Sequence, residues 1–263
     1  MTQKTWRTAI ASHDKESIHI AGYRVSDMMR HLDFGAALFV LYQQRVPSAA
    51  EAKLANALLV SVIDHGIVVP SVIARMVAAS GVPIQACAAA GILTIGDVHG
   101  GAGEQVGRRL AEDVARAKAE GTPAREYARR MVAEARGRKE RIEGYGHPLH
   151  PVTDERVETI VEMARELGVF GAHLELAVAV ADEIHAQSGK RIPLNIDGAM
   201  AGALLDLGFD WRLARVFVFV PRAAGISAHA VEEVTRERGW RIAARDEEID
   251  YDGPPPRPLQ PPR

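Results

Sequence analysis

The sequence predicts an all-α protein. Hydrophobic residues make up 47% of the chain while aromatics contribute only 5%. That balance favours close-packed helices over a sheet sandwich. Apolar residues also recur at helical spacing through most of the length. Helix start and stop signals bracket those stretches.

The first such stretch, "SDMMRHLDFGAALFVLYQQRVPSAAEAKLANALLVSVIDHG", reads as two helices. Ser26 and Asp27 are placed to cap the first, which runs through Leu41. Pro47 breaks it, and Ser48 with Glu51 forms a capping box for the second. That helix is expected to end at Asp64-His65-Gly66, with Gly66 as the stop. "PSVIARMVAAS" predicts a third helix with Pro70 in its first turn. "PIQACAAAGILTI" predicts a fourth, rich in small residues suited to close packing. The glycine-rich "GDVHGGAGE" then opens the next helix.

Residues 104–143 read as two charged amphipathic helices separated by a Gly-Thr-Pro break. "DERVETIVEMARELG" and "GAHLELAVAVADEIHAQSG" are two more, each closed by glycine. "IPLNIDGAMAGALLDLG" starts extended and becomes helical after Asp197. The β-branched run Val216 to Val220 is compatible with a strand, but its helical flanks favour a buried helix. The proline-rich "YDGPPPRPLQPPR" carries no core residues and is expected to be extended or disordered.

A chain of 263 residues fits one large domain or two modest ones, and no linker or repeat separates independent units. The formal net charge of -2 gives no basic excess for nucleic acid and no acidic tail. The one cysteine, Cys87, sits in an apolar run and reads as a small buried thiol. The start lacks the apolar core of a signal peptide, and no apolar run is long enough to span a bilayer. A cytoplasmic protein without membrane contact is expected.

Several polar residues fall where a ligand is easily approached. His65, His99 and His147 each sit at glycine-flanked helix ends, and Asp197 in "NIDG" also adjoins glycine. Glycine admits close backbone approach, and the helix start after His99 offers unpaired N–H groups to an anion. Arg156, Arg222 and Arg245 follow turns or helix ends. Such a set suits a small polyanionic substrate: arginine forks match carboxylates, neutral histidines donate to carbonyl oxygens, and a carboxylate serves as base. Any one of these histidines alone is more often a turn residue bonded to backbone. His13, His19, His31, His173, His185 and His229 are read as structural or surface. His147 and His150 are three apart, but no further ligands lie at ordinary zinc spacing, so no metal is expected. "GDVHGGAGE" lacks the Gly-Lys-Ser/Thr ending and preceding strand of a phosphate loop. "RGRKER", Arg136 to Arg141, reads as a solvated face, with the phosphates of a nucleotide-containing thioester as the alternative.

The ordered series "DHG", "GDVHGG", "GYGH…TDER", "NIDG" and "VPRAAG" resembles the citrate synthase superfamily. The resemblance spans roughly residues 20 to 253. "GILTIGDVHGGAGE" looks more like stand-alone citryl-CoA lyases and the citryl-CoA lyase module of ATP-citrate lyase, where Gly-Asp replaces the Gly-Pro of citrate synthases. The resemblance implies a large helical domain, residues 1–100 and 210–263, with a smaller inserted helical domain at 101–209 that closes over the substrate.

By the same resemblance, this chain cleaves citryl-CoA to acetyl-CoA and oxaloacetate. His147 meets an oxygen of the oxaloacetate part, and His99 stabilises the acetyl-CoA enolate. Asp197 handles the α-proton. His65, Arg156 and Arg222 bind the oxaloacetate side. Arg245, in "RIAARDEEIDYDG", is the candidate for an arginine given to the partner subunit, although the family's usual Arg-Pro is absent there. His150 takes no family role. The reading needs no cofactor beyond coenzyme A as part of the substrate. It implies a homodimer, with a separate citryl-CoA synthetase as a candidate partner that the sequence itself does not specify. Rival readings are a citrate or 2-methylcitrate synthase, an enzyme for another acyl-CoA and 2-oxo acid, and a non-catalytic binding subunit. The complete His-His-Asp set argues against the last.

Overall fold

Helices carry most of the chain in the computed structural model, which describes residues 5–146, 153–237 and 239–259. The exception is an N-terminal antiparallel sheet, β1 (Ala11–His13), β2 (Ile18–Ile20) and β3 (Tyr23–Arg24), with Ser12 opposite His19 and His19 opposite Arg24. No strand was expected there. Strands of two or three residues are too short to show an alternating pattern. Asp14 sets the first turn, its Oδ1 accepting from the Glu16 and Ser17 N–H groups at 2.8 and 2.7 Å.

The first predicted helix is two: α1 (Val25–His31) and α2 (Phe34–Gln43). Leu32 is extended between them, and Asp33 caps α2 by accepting from Ala36 N–H at 2.8 Å. Ser26 and Asp27 lie inside α1, whose N-cap is Arg24 with no side-chain cap bond. A strong cap residue in mid-run outweighed the continuing apolar period. The next helix, α3 (Ala49–Ser61), starts at the expected capping box. Ser48 Oγ accepts from Glu51 N–H at 3.2 Å, and Glu51 Oε2 accepts from Ser48 N–H at 2.7 Å. It stops at Ser61, short of the expected Asp64-His65-Gly66. There the backbone leaves the helix to contact the last long helix, as described below.

Two short helices follow, α4 (Val69–Ala79) with Pro70 in its first turn, and α5 (Ile84–Ile92). Both pack against α11 (Ala214–Arg236) around Ala74, Ala78, Cys87, Ile226 and Ala230. Cys87 is fully buried, as expected. The intervening chain forms α6 (Ala102–Glu120), α7 (Ala124–Arg138), α8 (Glu155–Glu166), α9 (Ala172–Ser188) and α10 (Ile196–Asp206). Here α7 packs on α9, while α10 packs against α6, α8 and α9.

A large core joins these helices to the first ones. Phe209 meets Phe39 and Phe217 edge-on, with ring centroids 5.0 Å apart in each pair. Fully buried side chains of this size are each worth about 1.5–3 kcal/mol. Val216 to Val220 lies within α11, as the helical flanks predict, and α11 continues through Pro221. After a 3₁₀ turn at Asp246–Glu248, residues 249–259 form no regular element and are exposed.

Candidate active site

One face of α11 organises the predicted site. Arg215, Val218, Arg222, Gly225 and His229 follow one another at intervals of three and four residues, so they form a single stripe. Arg222, Gly225 and His229 meet the turn after α3, while Arg215 and Val218 meet the His99 loop.

Arg222 sits at the centre of the stripe. It is buried, and its Nε donates to the Val62 carbonyl at 2.9 Å. Burial pulls its guanidinium below the ordinary value, opposed by Asp64 and Asp197 and reinforced by Arg156. Three other charged groups therefore act on this cation, and two of those three, Arg156 and Asp197, are predicted site residues. Among the described residues, Val62 is its only hydrogen-bond partner.

Gly225 lies one turn further on. A Cβ there would overlap the Ile63 carbonyl oxygen and stand 2.9 Å from Asp64 Oδ1. Only glycine lets the turn after α3 lie directly on the helix. His229 Nε2 meets the same Asp64 Oδ1 at 3.1 Å. Burial raises the Asp64 carboxyl, but the Gly66 N–H, His229 and the His65 N–H outweigh it and hold Asp64 below the usual range. The turn that carries His65 is thus fixed to α11 by three contacts in sequence.

Arg156 stands at the start of α8. Its Nε and Nη2 bond Asp154 Oδ1 and Oδ2 at 2.9 and 2.7 Å, a two-pronged pair that orients the guanidinium. Asp154 is also the N-cap of α8, so the same carboxylate sets both helix and arginine. Asp197 lies in the first turn of α10. Asn195 caps that helix through Gly198 N–H at 3.0 Å. The Asp197 carboxylate borders Gly103 at the start of α6, where a Cβ would be 3.8 Å from Oδ1.

The His99 loop precedes that start. Val218 lies beside Gly100, and Arg215 Nη2 bonds Asp97 Oδ1 at 2.6 Å. His99 itself is exposed. The "GYGH" segment reaches the same region. Asn195 Nδ2 donates to the Gly146 carbonyl at 3.1 Å, and Asn195 N–H donates to the Gly144 carbonyl at 3.0 Å. His147 follows Gly146 directly, and both His147 and His150 lie outside the described residues.

The stripe therefore draws together Arg222, Arg156, Asp197 and the segments bearing His65 and His99. Arg245 does not join them. It lies on the exposed C-terminal segment, 3.9 Å from Glu247. Sequence reasoning does not single out Asp64 or Arg215 as site residues, and His229, read there as structural or surface, bonds Asp64. The three-and-four spacing around Arg222 places Arg215 and His229 on its face, whereas Asp64 lies off that helix in the turn after α3. His173 is structural as expected, its Nδ1 meeting Asp206 Oδ1 at 2.8 Å. Among the described residues no group of three or more His, Cys, Asp or Glu is arranged to hold a metal ion. No described helix is long and apolar enough to cross a membrane.

The architecture is that of an all-α protein whose polar site is assembled from several loops on one long helix. The chain belongs to the citrate synthase family: the family "Citrate synthase, C-terminal domain" matches residues 12–243. The structure is similar to citryl-CoA lyase from Hydrogenobacter thermophilus, with a TM-score of 0.88 and 37% identity over 98% of each chain. ATP citrate lyase from Methanothrix soehngenii, solved with citrate and coenzyme A, shares the fold. It matches with a TM-score of 0.81 and 24% identity over 97% of this chain and 43% of that one. Citrate synthase 2 of Bacillus subtilis is 30% identical over 226 residues, 84% of this chain. The chain spans 57% of the length of that relative.

Proposed function

We propose that this protein is a citryl-CoA lyase, cleaving citryl-CoA to acetyl-CoA and oxaloacetate. The observation that carries the reading is the end-to-end match to the Hydrogenobacter thermophilus lyase, over 98% of both chains. The buried Arg222, with Asp197 and Arg156 acting on it, supports it, because a buried cation favours an anionic ligand.

In the proposed reaction, His147 accepts the proton of the citryl hydroxyl as the carbon–carbon bond breaks. The hydroxyl carbon becomes the ketone of oxaloacetate. The bonding pair moves to the thioester carbonyl and gives the acetyl-CoA enolate. His99 donates to that oxygen, and Asp197 delivers a proton to the α-carbon to form the methyl group. Arg156, Arg222 and His65 hold the oxaloacetate carboxylates and carbonyl. Asp154 pre-orients Arg156 for that task, and Val62 orients Arg222.

We assign residues 101–209 to a small domain that closes over the substrate and excludes water. The mutual packing of α6 to α10 supports this division. A homodimer is proposed, with Arg245 reaching the partner's site; its exposed position on the C-terminal segment is compatible with that role. A cytoplasmic setting and a separate citryl-CoA synthetase complete the reading, with no resident cofactor.

The likeness to Bacillus subtilis citrate synthase 2 favours a second reading, a citrate or 2-methylcitrate synthase. Supplying oxaloacetate with acetyl-CoA or propionyl-CoA and following free thiol separates the two. A synthase hydrolyses the condensed thioester and releases thiol continuously. The lyase releases none above background.

A further inference from the structure

The His99 loop is held by more than its own turn. Gly96 and His99 exchange both backbone hydrogen bonds at 3.0 Å. Arg215, in the first turn of α11, reaches across the loop. Its Nη2 donates to Asp97 Oδ1 at 2.6 Å, and its Nε lies 2.9 Å from Glu104 Oε2 on α6. The contact with Glu104 is one of charge, since Nε has no aligned acceptor. The guanidinium rests on Gly101: a Cβ there would stand 3.1 Å from Cζ and 2.7 Å from the Gly96 carbonyl oxygen. Gly101 must therefore be glycine for the arginine and the turn to coexist. The two carboxylates that Arg215 joins lie on opposite sides of His99 in the chain.

We propose that Arg215 is a positioning residue that fixes the His99 loop from both flanks, through Asp97 and Glu104, and so sets where His99 meets the substrate. The inference rests on the reading of His99 as the group that holds the thioester oxygen. Its logic is one of magnitude. Exposed ion pairs contribute little to stability, and Asp97 is exposed. A displacement of about 1 Å at a catalytic group costs about 100-fold in rate. Loss of the clamp should therefore appear in turnover and not in folding.

The test uses Arg215→Met and Arg215→Lys in the full chain, each alone and combined with His99→Ala, with citryl-CoA as substrate. Arg215→Met is expected to lower kcat about 10- to 100-fold with little change in KM or Tm. Arg215→Lys, a point charge without the fork, is expected to fall between. In the His99→Ala background, Arg215→Met should add less than about 2-fold. An equal loss in both backgrounds, or none in either, would overturn the inference. Parent-level turnover in His99→Ala alone would overturn it together with the reading of His99.

Asp97→Asn cuts the loop side of the clamp without altering α11, and the same pattern is expected. The His99 imidazole NMR signals of the ligand-free protein should move in Arg215→Met and in Asp97→Asn. Unmoved signals would overturn the inference whatever the substrate.

Discussion

Arg222 donates from Nε to the carbonyl of Val62 at 2.9 Å, which ties a buried cation to the turn bearing His65. That bond orients the guanidinium, which in the proposed reaction grips an oxaloacetate carboxylate. Arg222→Met should lower kcat/KM for citryl-CoA roughly 10- to 150-fold, the equivalent of about 1.5–3 kcal/mol for charge-assisted bonds. Arg222→Lys should recover only part of this, because one ammonium cannot reach both the Val62 carbonyl and a carboxylate. Full activity in Arg222→Met would remove Arg222 from the site.

Gly225 is the close-approach point of the same helix. Gly225→Ala places a methyl group on the Ile63 carbonyl, and backbone must move to admit it. A loss of about 1–3 kcal/mol is expected in denaturant unfolding, with reduced turnover as the His65 turn shifts. Parent-like stability and turnover together would show that the turn does not need this contact.

In the proposed reaction Asp197 delivers the proton to carbon. Asp197→Asn keeps shape and polarity but cannot donate that proton. Turnover should drop about 10²–10⁴-fold while citryl-CoA still binds, which calorimetry would show directly. Loss of binding without a rate effect on bound substrate would assign Asp197 to recognition instead.

The start of α3 gives a pH prediction. Hydrogen bonds from Arg45, with Ser48 N–H, outweigh burial and hold the Glu51 carboxyl at about 2 against an ordinary 4.5. A depressed folded value means the stabilisation is fully present above pH 4.5 and lost as pH falls towards 2. Glu51→Gln should cost about 1 kcal/mol at neutral pH. The gap from the parent should close on acidification. A gap that stays constant down to pH 2 would contradict the coupling.

These assignments show what the sequence carried. The long helices were readable from apolar period and glycine stops, and the capping box at Ser48 and Glu51 stands where expected. The break at Asp33 was hidden because the apolar period continues across it; only the local cap decides. The end of α3 was misplaced because tertiary contacts stop it: Arg222 takes the Val62 carbonyl and Gly225 receives Ile63. The order of the motifs made the family legible, but the motifs are read one loop at a time. His229, Asp64 and Arg215 acquire meaning only once α11 is seen as the shared platform.

The most direct test supplies purified protein with citryl-CoA. Oxaloacetate is followed through a coupled dehydrogenase, and free coenzyme A thiol is followed in parallel. Oxaloacetate is expected to form in step with substrate loss, with no thiol above background. Thiol released without oxaloacetate would mean hydrolysis to citrate and would contradict the lyase assignment.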